Sequence, residues 1–60
     1  MNINGVNITK DQDEPKEVEI GGKRGTAMYL FPDKNIVKVL FDNGDLMFLK
    51  APEDNANRPA

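Results

Sequence analysis

Turn formers and helix breakers recur at short intervals along the apolar part of this chain, and they limit what it can fold into. Gly21-Gly22-Lys23-Arg24-Gly25, Pro32-Asp33-Lys34-Asn35 and Asn43-Gly44 divide it into short runs, and Pro15, Pro32 and Pro52 fall where a helix would have to continue. Within the runs the apolar positions alternate with polar ones. Val18 and Ile20 point one way while Glu17 and Glu19 point the other, as in a half-buried strand. The pattern predicts strands over 16–21, 26–31, 36–42 and 46–50, with the N-terminal segment around Ile3, Val6 and Ile8 as a fifth. The expected fold class is all-β: a small barrel or a strongly bent antiparallel sheet of four to five strands. Residues 1–52 form the expected single domain. Residues 53–60 lack large apolar side chains and are expected to be a flexible acidic and polar tail.

Asn43-Gly44 between two apolar runs is the strongest local signal. Read as a two-residue type I′ turn, it pairs Phe41 with Leu46, Leu40 with Met47, Val39 with Phe48 and Lys38 with Leu49. That register puts Val37, Val39, Phe41, Leu46 and Phe48 on the core face. The opposite face then carries Ile36, Leu40, Met47 and Leu49, interrupted by Lys38. A solvated face should be polar, so this one is covered either by the N-terminal segment or by a partner.

Composition removes several function classes. The chain of 60 residues contains no cysteine, no histidine and no serine, so the usual zinc sets and nucleophilic triads have no residues to draw on. A formal charge of −2 runs against a protein that binds by covering many phosphates. Asp42 and Asp45 flank a hairpin tip without a cleft to hold a sugar, and Asp11-Gln12-Asp13-Glu14 lacks the full ligand register of a calcium loop. We expect no enzyme, no metal and no cofactor. The start of the chain lacks a basic stretch followed by an apolar run, and no window approaches the roughly 18 apolar residues of a membrane span. A cytoplasmic protein with no membrane partner is the expectation.

Val18-Glu19-Ile20-Gly21-Gly22-Lys23-Arg24-Gly25-Thr26-Ala27 resembles the strand, glycine turn and strand that open a KOW unit. Val37-Lys38-Val39-Leu40-Phe41-Asp42-Asn43-Gly44-Asp45 is similar to a hairpin common in KOW and Tudor modules. The resemblance covers roughly residues 18–50 and implies a small SH3-like barrel at the level of a superfold. It departs from a methyl-lysine-reading Tudor module in its aromatics: there is no Trp, and Phe41 and Phe48 are assigned to the core.

Two candidate sites follow. The first is a protein-binding surface made of Leu40, Met47, Leu49, Lys38 and Tyr29, on a non-enzymatic interaction module. The size of the chain and its initiator methionine suit a small phage-type inhibitor of a host protein. The second, implied by the KOW resemblance, is a nucleic-acid contact at Lys23 and Arg24, with Tyr29 placed to stack a base. A homodimer through sheet edges is a further possibility.

Overall fold

The computed structural model describes residues 1–52; the expected tail, 53–60, lies outside the described residues. The fold is all-β. A two-stranded N-terminal hairpin, β1 (Asn2–Ile3) and β2 (Val6–Asn7), precedes a four-stranded antiparallel meander of β3 (Lys16–Ile20), β4 (Lys23–Phe31), β5 (Ile36–Phe41) and β6 (Leu46–Lys50). A single 3₁₀ turn, Pro32–Lys34, joins β4 to β5 and ends at Asn35 in the left-handed region, where a short polar side chain is tolerated.

The turns explain the registers. Asn4 and Gly5 both have positive φ and join Ile3 to its partner Val6, which is a two-residue primed turn. Gly21 and Gly22 do the same between Ile20 and Lys23. Asn43-Gly44 does not. Here the Gly44 N–H donates to the Phe41 carbonyl at 2.9 Å, the Phe41 N–H donates to the Asp45 carbonyl at 2.8 Å, and Gly44 has a φ of 96° while Asn43 stays negative. This is a three-residue loop, a type I turn closed by a left-handed glycine. Asn43 Oδ1 accepts the Asp45 N–H at 3.0 Å and its Nδ2 donates to Asp45 Oδ2 at 3.1 Å, which fixes the wider loop.

The extra residue shifts the β5–β6 register by one. Leu40 faces Leu46, Val39 faces Met47, Lys38 faces Phe48 and Val37 faces Leu49. Because side chains alternate, that shift turns every β6 side chain over. Leu46 and Phe48, expected in the core, are 55 % and 57 % exposed, whereas Met47 and Leu49 are half-buried against the core. The β5 assignment stands: Val37, Val39 and Phe41 are buried.

The core lies between this inner face and the N-terminal hairpin. Ile3 and Ile8 join Val18, Ala27, Val37, Val39, Phe41 and Ala51 in one buried cluster. The N-terminal segment therefore covers a sheet face, and it covers the one holding Met47 and Leu49; it does not add a fifth strand to the sheet. Met1 and Ile8 exchange hydrogen bonds through the α-amino group, the Ile8 N–H and their two carbonyls, closing the base of the hairpin. The charge-rich stretch after it, though mostly exposed, is anchored by Gln12. The Gln12 side chain accepts the Thr9 N–H at 3.1 Å and donates to the carbonyls of Glu14 and Ala27 at 2.9 and 3.0 Å. Fully burying side chains such as Ile8, Val37 and Val39 contributes about 1.5–3 kcal/mol each.

Gly25 lies at the tightest point, where β4 crosses between β3 and β5. A Cβ there would stand 2.5 Å from the Leu40 carbonyl oxygen and 2.8 Å from Phe41 Cα, both backbone atoms with little freedom to move. Gly22 has open space around it and only its positive φ of 82° to object to a side chain. Urea denaturation should therefore show Gly25→Ala losing about 3 kcal/mol or more, against about 1 kcal/mol for Gly22→Ala. Equal losses would contradict the close approach.

Candidate interaction surface

With the inner face covered, the outer face of the meander carries the side chains that the register turned outward. Thr26, Leu40 and Leu46 form one row across β4, β5 and β6, and Met28, Lys38 and Phe48 form the next. Leu40 is 43 % exposed and Leu30, beside the β-bulge that follows Tyr29, is 40 % exposed. Pro15, Met28, Leu30, Lys38 and Leu40 line a depression of about 170 Å³ on this face. Its chemistry is an apolar surface with an ammonium in the middle. Lys38 is half-buried, with its aliphatic stem between rows of apolar neighbours, and it has no ion pair among the described residues.

The expected protein-binding set is thus divided. Leu40 and Lys38 belong to the outer face. Met47 and Leu49 do not: they pack on the core under the N-terminal hairpin. Tyr29 is shared between the two faces: it packs half-buried against the core, with Lys10 Nζ 5.9 Å from its ring centroid, and it also lines the outer depression beside Lys38 and Leu40. The residues missed in the sequence are Leu46 and Phe48, hidden by the wrong loop length.

The expected nucleic-acid set is scattered. Lys23 and Arg24 are consecutive in a strand, so their side chains leave opposite faces. Lys23 Nζ lies 3.5 Å from Asp45 Oδ2 and 5.9 Å from the Phe41 ring centroid. Arg24 lines a second depression of about 470 Å³ together with Glu17, Glu19 and Asp42. Three carboxylates against one guanidinium repel a polyanion. Tyr29 is six residues further along β4, about 20 Å from Lys23, too far for a base stacked on its ring to share a phosphate with that lysine. No group of three or more His, Cys, Asp or Glu side chains converges in metal-binding geometry among the described residues. None of their helices is long and apolar enough to cross a membrane.

Comparison with known proteins adds no assignment: no family model, curated protein or solved structure matches the chain.

The Lys23–Asp45 pair is exposed, so its contribution should be small and screened by salt. A double-mutant cycle of Lys23→Gln and Asp45→Asn is expected to give a coupling below about 1 kcal/mol at low ionic strength that fades at about 0.5 M salt. A larger coupling that survived salt would mean that the pair locks the loop.

Proposed function

We propose that the protein is a non-enzymatic interaction module that docks a protein partner on the outer face of its meander, with Leu40 and Phe48 as central contacts. One observation carries this reading. The sheet has two apolar faces, and among the described residues only the inner one is covered. Exposed Leu30, Leu40, Leu46 and Phe48 on a chain this small form an apolar patch of the kind that marks interaction sites. Lys38 at its centre suits a partner that brings a carboxylate into an otherwise apolar contact, where charge sets the register and apolar burial supplies most of the affinity. The small SH3-like barrel, as a superfold reading of residues 18–50, belongs to the same proposal. The nucleic-acid alternative has weaker support, because Lys23 is paired and Arg24 lies among acids.

Replacing Leu40 with Asn and Phe48 with Gln tests the proposal. Both side chains are exposed, so the double variant should keep the wild-type amide spectrum and most of its stability. Partners retained by wild type and lost by the variant would be purified and titrated against both. The expected result is at least a tenfold loss of affinity, typical of removing central interface contacts. A variant that unfolds would assign these residues to the core. An unchanged affinity would remove the outer face as the docking surface.

A further inference from the structure

The meander has two edges, and they differ. At β3 the sequence Lys16-Glu17-Val18-Glu19-Ile20 is charged, and the N-terminal hairpin lies against it. The Asn4 side chain donates to the Glu19 carbonyl, and Lys16 Nζ donates to the Asn7 carbonyl at 2.9 Å, so chain already occupies that side. At β6 the sequence is Leu46-Met47-Phe48-Leu49-Lys50, with no proline and one terminal charge. Native edges are usually blunted by proline, bulges or central charges. This one is not.

The register shows which groups β6 leaves free. The Phe41 N–H bonds to the Asp45 carbonyl and the Ala51 N–H to the Asn35 carbonyl, so Asp45, Met47, Leu49 and Ala51 are the residues whose backbone groups face β5. Leu46, Phe48 and Lys50 direct their N–H and C=O groups away from the sheet, and no strand among the described residues lies beyond them. Residues 53–60, Glu53-Asp54-Asn55-Ala56-Asn57-Arg58-Pro59-Ala60, contain no β-branched or aromatic residue.

We infer that β6 pairs with β6 of a second copy of this chain, antiparallel about a two-fold axis at Phe48. This register uses all five residues of the strand. Phe48 faces its own copy as a hydrogen-bonded pair, Met47 faces Leu49, and Leu46 faces Lys50, so no two like charges are opposed. The half-buried Met47 and Leu49 each gain an apolar neighbour on the inner face, and the Phe48 rings meet on the outer face. Because the other edge is charged and the N-terminal hairpin lies against it, with the Asn4 side chain on the Glu19 carbonyl, the pairing closes at two copies rather than growing into a filament. The inference rests on the sheet edge; it shares Phe48 with the proposed docking face but not Leu40, so Leu40→Lys separates the two.

Sedimentation of the full chain across a concentration series tests it, with charge variants that read the register. Wild type should form a concentration-dependent dimer. Leu46→Lys sets two lysines against each other twice by symmetry and should raise the dissociation constant about tenfold. Adding Lys50→Glu to that variant creates two opposite-charge pairs and should restore the wild-type value to within about threefold. Leu40→Lys, on the outer face but away from the edge, should leave the dimer intact. The Phe48 N–H should be protected from hydrogen exchange in the dimer and unprotected on dilution. A monomer at every concentration would overturn the inference. So would failure of Lys50→Glu to rescue the dimer, loss of the dimer on Leu40→Lys (which would mean stacked faces), or protection of the Phe48 N–H in the monomer.

Discussion

The loop at Asp42-Asn43-Gly44 decides the surface of this protein. Its three-residue form pairs Leu40 with Leu46, and a two-residue form would pair Phe41 with Leu46. The two differ by a single residue of register, and period-two geometry makes that difference absolute: Met47 and Leu49 or Leu46 and Phe48 go inward, never both. Local chemistry favours the wider loop. Gly44 takes the left-handed position, the Asn43 side chain bonds to Asp45 through both its atoms, and Lys23 meets the same Asp45 carboxylate. Packing agrees. The inner face is covered by Ile3 and Ile8 of the N-terminal segment, and Met47 and Leu49 pack half-buried against that cluster.

The all-β fold and its strands were legible because period-two patterning and turn formers agree along residues 16–50. The strand Leu46–Lys50 and the start of β5 at Ile36 fall where the pattern puts them. Turn type was less legible, for a physical reason. Asn-Gly occurs twice in this chain, at Asn4-Gly5 and at Asn43-Gly44, and the dipeptide fits both a primed two-residue turn and the end of a type I turn. At Asn4-Gly5 the flanking Ile3 and Val6 pair directly and both turn residues take positive φ. At Asn43-Gly44 only the glycine does. The neighbouring Asp45 decides between them through bonds with the Asn43 side chain that the apolar pattern does not record. The expected fifth strand is instead a hairpin, and Asn4-Gly5 between Ile3 and Val6 is the sequence signal for it that the apolar pattern alone passes over.

The candidate site inherits the same uncertainty of one residue. Leu40 and Lys38 kept their outward places because β5 is anchored on both sides, by β4 as well as β6. Met47 and Leu49 exchanged places with Leu46 and Phe48 because β6 is held from one side only. The Lys23-Arg24 turn dissolved as a site for another reason: consecutive residues of a strand diverge, and extending β4 back to Lys23 converts a loop into strand. Among the described residues, what results is a sheet with one face covered by its own N-terminus, one face apolar and open, and one edge without a neighbouring strand. A chain of this size has few places to hide apolar area, and the proposed docking face and dimer edge are where that area stays on the surface.

The most direct test of this account is the pattern of cross-strand NOEs between α-protons, which are strong only for non-hydrogen-bonded antiparallel pairs because their Cα atoms lie about 4.5 Å apart. The three-residue loop predicts such NOEs from Lys38 to Phe48 and from Leu40 to Leu46. Contacts from Val39 to Phe48 and from Phe41 to Leu46 in their place would return Phe48 to the core and contradict the surface described above.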